Sequence, residues 1–266
     1  MLITFLTDFG LDDDFVGVCH GVIERIAPRT RVIDLTHGIR PQMVLEGALT
    51  LANGLPFMPA GVHLAVVDPG VGSERRAVAL RGGDGRLYVG PDNGLLVPAA
   101  ERLGGIEAAH ELTAKAFWLE RISRTFHARD IFSPVAAHLA MGVELEQLGP
   151  ALDPATLVRI ELPEPEVREG VVVGRCIAVD RFGNVQLNVR ASHLTAAGIE
   201  PGSRVEVELA TERYYAIAAS TFTDVAIGEI AVYEDAYENV SISITRGSAA
   251  ETLAIAPGDP VALRLL

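Results

Sequence analysis

The stretch VVDPGVGSERR sets a carboxylate against two guanidinium groups. An apolar run from Val62 to Val67 ends abruptly in Asp68-Pro69-Gly70, and the chain turns through Gly72 before reaching Arg75 and Arg76. A carboxylate can take up a proton and a guanidinium can orient and polarise a polar reactant, so the pairing is a candidate site of proton-transfer chemistry. The same residues also read as an ordinary strand-to-turn junction with Asp as a turn former. Asp8 stands in a comparable place, directly after the apolar run LITFLT. A carboxylate at a strand end can accept hydrogen bonds from paired ribose hydroxyls. His127 lies in a stretch of mixed arginines and aromatics, WLERISRTFHARD, where it can be a capping or surface residue or an acid–base group. In DRFGNVQLN, Asp180 can bind an ammonium group, Phe182 can stack on a flat ligand, and the Asn184 amide can read an adenine, although a hairpin turn explains the Asp, Gly and Asn equally. Phe222, in the polar loop STFTD, is a second aromatic outside any obvious core stripe.

The elements that would position these groups follow from periodicity. Strand, loop and helix succeed one another over 2–7, 8–14 and 15–27, and the acidic residues Asp12, Asp13 and Asp14 fall where a helix N-terminus would be capped and dipole-stabilised. A strand over 31–35 ends in Thr36-His37-Gly38, and a helix is predicted over 43–53 after Pro41. A strand over 62–67 follows, then a hairpin of 76–81 with 87–90 around Gly82-Gly83-Asp84-Gly85, then a short helix over 95–103. Asn93, in PDNGLL, reads as a turn former or a ligand contact. Residues 118–130 are predicted to be a loop leading into a helix over 131–141. The proline-rich stretch 148–169 reads as a linker or domain edge. Beyond it come short strands over 171–179, 185–189, 204–209, 230–233 and 241–245, a short helix near 192–197, and a final run to Leu266. The expected fold is an α/β N-terminal domain over 1–160 with a mostly parallel, Rossmann-like sheet, and a small all-β barrel or sandwich over 168–266.

Composition narrows the partners. Lys and Arg total 22 against 35 for Asp and Glu, a net charge of -13 over 266 residues. A broad surface for nucleic acid or an anionic membrane is not expected, and a small-molecule substrate is. Cys19 and Cys176, without metal-ligand spacing, suit neither a disulfide framework nor a zinc site. Met1 leads straight into a strand-like run with no basic or membrane-spanning segment, so a cytoplasmic protein is expected.

Taken together, TDFGLDDDFVG, VVDPGVGSERR, PDNGLL, FHARD and DRFGNV resemble the S-adenosyl-L-methionine hydroxide adenosyltransferases, homologous to fluorinase and chlorinase, in order and over nearly the whole chain. The resemblance implies a homotrimer with active sites between the N-terminal domain of one subunit and the C-terminal domain of its neighbour. It implies a hydroxide-forming triad of Asp68, Arg75 and His127, with Asp8 binding ribose, Asp13 binding the methionine moiety, Asp180 as the substrate-binding acid of the second domain, Asn184 reading adenine beside Phe182 and Phe222, and further contacts from Arg246 and Ser248. In the halogenating relatives the position of Asp68 is typically aromatic and that of Arg75 small and uncharged, which places this chain in the hydroxide branch. Thr245-Arg246-Gly247-Ser248 departs from the family's usual Asn-Arg-Gly-Asn, and Tyr237-Glu238-Asn239 from a usual serine-glycine turn. The implied reaction is cleavage of S-adenosyl-L-methionine to adenosine and L-methionine by activated water, with no cofactor and no metal. Two other readings stand beside it: a metal-dependent phosphohydrolase using Asp8, Asp12, Asp13, Asp14 and His37, and a module that binds adenosine or S-adenosyl-L-methionine without turnover.

Overall fold

A computed structural model describes residues 1–210, 212–221 and 223–266. The chain divides into two compact units, 1–160 and 161–266. The N-terminal unit begins with β1 (Ile3–Thr7), α1 (Phe15–Ile26), β2 (Val32–Thr36), α2 (Val44–Gly54) and β3 (Val62–Val66). It continues with β4 (Ala77–Gly82), β5 (Leu87–Pro91), α3 (Val97–Arg102), β6 (Ile106–Glu111), α4 (Ser133–Ala140) and β7 (Ala151–Leu152). Its seven strands form one sheet in the order β2-β1-β3-β5-β4-β6-β7. β2, β1, β3 and β5 run parallel, and β4, β6 and β7 extend the sheet antiparallel.

Alternation along the central strands builds two cores. Ile3, Phe5, Leu64 and Val66 bury one face with Cys19 and Ile23 of α1 and Val135 and Leu139 of α4. Leu6, Ala65 and Val67 bury the other with Leu51 of α2 and Ala99 of α3. Every residue of β3 is buried, as expected of a strand covered on both faces. This is the α/β arrangement read from the sequence.

The C-terminal unit comprises β8 (Glu166–Arg168), β9 (Val171–Val179), β10 (Val185–Leu187), α5 (Ala191–Ala196), β11 (Arg204–Glu208), β12 (Arg213–Ala218), β13 (Ile230–Glu234), β14 (Val240–Ile244), α6 (Ala249–Thr252) and β15 (Pro260–Leu265). The strand order β10-β14-β13-β12-β11-β15-β9 closes through a β9–β10 pairing, so the sheet is a barrel, with β8 added outside the ring on β9. Among the described residues, the β12–β13 pair is parallel and the other pairs of this unit are antiparallel.

Several local expectations are corrected. β6 and β12 lie in stretches read without strands, and the stretch read as a linker carries β7 and β8. Asp14 occupies the cap position of α1, yet its side chain makes no capping bond, and Asp12, Asp13 and Asp14 are all exposed. The helical segment expected from residue 131 begins earlier, as a π-type turn over Ala128–Phe132. Pro134 explains part of this: it has no N–H to offer the carbonyl of Asp130, which instead accepts the Leu119 N–H at 2.9 Å. Among the described residues, no helix is long and apolar enough to cross a membrane.

Candidate active site

The N-terminal unit brings Asp68, Arg75 and His127 together. Asp68 follows β3 by two residues, and the Asn93 side chain holds that strand end by donating to the Val67 carbonyl at 2.8 Å. Asn93 is thus a turn-builder for the site. From Asp68 the chain curls back on itself: Val71 N–H donates to the Asp68 carbonyl, Ser73 N–H and Oγ donate to the Gly70 carbonyl, and Arg75 N–H donates to Ser73 Oγ. Gly72 is required in this curl. Its φ is +78°, and an added Cβ would collide with the carbonyl oxygen of Arg124, so the loop packs flush on the segment that precedes His127.

Arg75 is the hub. Its Nε donates to both carboxylate oxygens of Asp68, at 3.0 and 3.1 Å, and its Nη2 donates to Asp68 Oδ2 and, at 3.0 Å, to His127 Nδ1. Its guanidinium also lies over the Phe132 ring, 5.1 Å from the centroid. Since Arg75 can only donate, His127 Nδ1 is the acceptor and the neutral ring carries its hydrogen on Nε2. Partial burial, reinforced by the Arg75 charge, lowers the His127 pKa below its ordinary value and keeps the ring neutral near pH 7. Arg76, by contrast, is tied into the scaffold, donating to Asp92 at 2.8 Å and to the Thr156 carbonyl.

Asp130 is the positioning residue that sequence reasoning missed. Fully buried, it accepts the Ser123 N–H at 2.7 Å and both Arg129 Nε and Nη2, which fixes the approach of the 118–127 segment. Beside the triad, Phe9, Phe15 and Phe126 form a three-ring cluster with centroids 5.2 to 5.9 Å apart. Asp8 lies at the end of β1 and accepts the backbone N–H of Gln42 at 2.8 Å, a residue held at φ +67°. Asp13 is exposed on the loop before α1.

The C-terminal unit gathers a second group. Asp180 accepts from Phe182 N–H, Asn184 N–H and the Asn184 side-chain amide, at 2.8, 2.9 and 2.7 Å. One N–H of the Asn184 amide is thereby engaged inside its own turn, which leaves its second N–H and its carbonyl oxygen for a ligand. Phe182 is 78% exposed at the tip. Gly183, at φ +81°, packs against Ser248, whose Oγ caps α6 by accepting the Glu251 N–H. Asp180, Phe182, Gly183, Ser248 and Glu251 line one shallow pocket. Arg246 sits in the preceding turn at φ +62°. Phe222 lies outside the described residues.

The ligand set imagined for a phosphohydrolase does not assemble. Asp12, Asp13 and Asp14 are exposed and Asp8 is bonded to Gln42. His37 faces Asp34 and His20 instead, and among the described residues this is the group of three metal-ligating side chains that converges.

Known proteins resemble this chain in both units. Residues 3–149 match the SAM hydroxide adenosyltransferase N-terminal domain and residues 174–262 the C-terminal domain. The chain is 50% identical to the (R)-S-adenosyl-L-methionine hydrolase of Salinispora tropica, covering 97% of this chain and 95% of that protein. It is 30% identical to the fluorinase of Nocardia brasiliensis, covering 78% and 77%. A solved structure of a conserved protein from Thermotoga maritima superposes with a TM-score of 0.91 at 35% identity, covering 98% of this chain and 99% of that one. Matched in both of its units and nearly end to end, the chain belongs to the SAM hydroxide adenosyltransferase family.

Proposed function

We propose that the protein hydrolyses S-adenosyl-L-methionine to adenosine and L-methionine by in-line attack of water at ribose C5′. The sulfonium makes methionine a good leaving group, so no leaving atom has to be protonated. What the protein must supply is an aligned nucleophile. Water attacks well only as it loses a proton, which the Asp68 carboxylate takes, while Arg75, braced by Asp68 and the neutral His127 ring, orients the water and stabilises the growing hydroxide charge. One oxygen enters adenosine, the C–S electron pair leaves with methionine, and one proton is released.

The observation that carries this reading is the Arg75 guanidinium joining Asp68 to His127, a polar constellation in which a water can be held and a bare halide is not favoured. Asp8 is assigned to the ribose hydroxyls, Asp13 and Asp180 to the methionine end, and Asn184, Phe182 and Phe222 to adenine, with Arg246 and Ser248 alongside. No cofactor takes part. Following the family resemblance, we place the enzyme in the cytoplasm as a homotrimer whose sites combine the N-terminal unit of one subunit with the C-terminal unit of the next. Light scattering should then give the mass of three chains. Incubation of the pure protein with S-adenosyl-L-methionine should release adenosine and methionine in equal amounts, with added chloride or fluoride changing nothing. Stoichiometric binding without product would favour a sensor, and halogenated nucleoside would reject the hydroxide assignment.

A further inference from the structure

A second polar cluster lies away from the triad, where α1 meets the edge strand β2. Asp34 Oδ1 is 2.8 Å from His20 Nε2 and 3.2 Å from His37 Nε2, and the three ligand atoms lie within 4.8 Å of one another. Atoms ligating one ion at about 2.1 Å sit roughly 3 to 3.5 Å apart, so the spacing needs little adjustment. His37 is 5% exposed, and its Nε2 makes no aligned hydrogen bond despite facing Asp34. Its other nitrogen, Nδ1, lies 2.8 Å from Thr7 Oγ1, an outer contact of the kind that orients a ligating imidazole and leaves Nε2 directed at an ion. Phe5 packs edge-on against the His37 ring at 4.9 Å and fixes its plane. His20 and Asp34 are partly exposed, which leaves the open side to water.

We propose that His20, Asp34 and His37 form a binding site for one divalent transition-metal ion of the zinc class. Two imidazole nitrogens and one carboxylate suit such an ion better than magnesium or calcium, which prefer all-oxygen shells. The site is separate from the hydrolytic triad and takes no part in the reaction. It ties α1 and β2 to the loop that follows, in which the His37 carbonyl accepts the Gly10 N–H at 2.8 Å and Gln42 donates to Asp8. The ion is therefore a local clamp on the loop bearing Asp8.

The test is titration of the chelator-stripped, full-length protein with Zn²⁺ against a chromophoric competitor, with Co²⁺ absorption as a second readout. One Zn²⁺ per chain is expected, and His20→Gln and Asp34→Asn, both at partly exposed positions, should each weaken it more than tenfold and remove the visible Co²⁺ bands. Circular dichroism of both variants should match that of the parent. Failure of the parent to hold Zn²⁺ against the competitor, or unchanged affinity in both variants, would overturn the proposal.

Discussion

Replacing Arg75 by Lys keeps the positive charge and removes the fork. In the native site Nε and Nη2 grip Asp68 while Nη2 also reaches His127. A lysine ammonium is a single point on a flexible stem, and one that stays with Asp68 cannot also hold the imidazole in the same geometry. A lost hydrogen bond to a charged group is worth about 1.5–3 kcal/mol. If that loss is felt in the transition state, kcat falls roughly 10- to 100-fold, at about 1.4 kcal/mol per tenfold. KM should stay close to that of the parent, because Arg75 is assigned to the water and not to the nucleoside. Folding should survive, since the Asp68 side chain, only 6% exposed, still faces a cation. Arg75→Ala would instead strand a buried carboxylate, at a cost of about 3–5 kcal/mol. The assay is chromatographic quantification of adenosine over a range of substrate concentrations, with a melting curve on the same sample. An Arg75→Lys enzyme with undiminished kcat, or one altered in KM alone, would refute the role given to the guanidinium fork.

Protonating His127 would put a hydrogen on Nδ1 against the Arg75 N–H, and its pKa is lowered, so kcat/KM should be level around pH 7 and decline only at pH below the ordinary histidine range; a decline already complete at neutral pH would contradict this. Gly72→Ala should cut kcat at least tenfold by pushing the loop off the Arg124 carbonyl, at a backbone cost of about 1–2 kcal/mol, whereas Gly85→Ala, also at positive φ but in open space, should leave kcat unchanged. Burial pushes the His63 imidazole down from 6.5 to about 4. The unfolded chain therefore binds the extra proton first, and about 3 kcal/mol of stability, fully present above pH 6.5, should be lost as pH falls towards 4. His63→Asn should flatten that part of a melting-temperature profile, and an unchanged slope would count against it.

The chain showed its central strands plainly because they are covered on both faces: VHLAV in β3 is apolar enough to read as buried without any structure. β6, IEAAHE, was obscure for the opposite reason, since its buried positions are filled by alanine and a histidine that bonds the Gly149 carbonyl. Asp68 and Arg75 were legible as a pair because one short glycine-rich loop joins them. Asp130 was not, because beyond the adjacent Arg129 its partner is the Ser123 backbone N–H, whose position depends on how the 118–127 segment folds back. The cluster of His20, Asp34 and His37 was equally hidden: His37 stood out at a strand end, but its neighbours come from α1 and β2 and meet only once β2 pairs beside β1. At the DRFGNV turn, the residue types fit both a turn and a binding loop, and the structure shows the turn bonds in place, with Asp180 and Asn184 joined.

In the proposed reaction, water activated between Asp68 and His127 becomes the 5′-oxygen of adenosine. A turnover experiment in H₂¹⁸O tests it most directly. One ¹⁸O is expected in the 5′-hydroxyl of adenosine and none in methionine, with loss of that product in Asp68→Asn while substrate binding is retained. Unlabelled adenosine, label in methionine, or undiminished turnover in Asp68→Asn would contradict it.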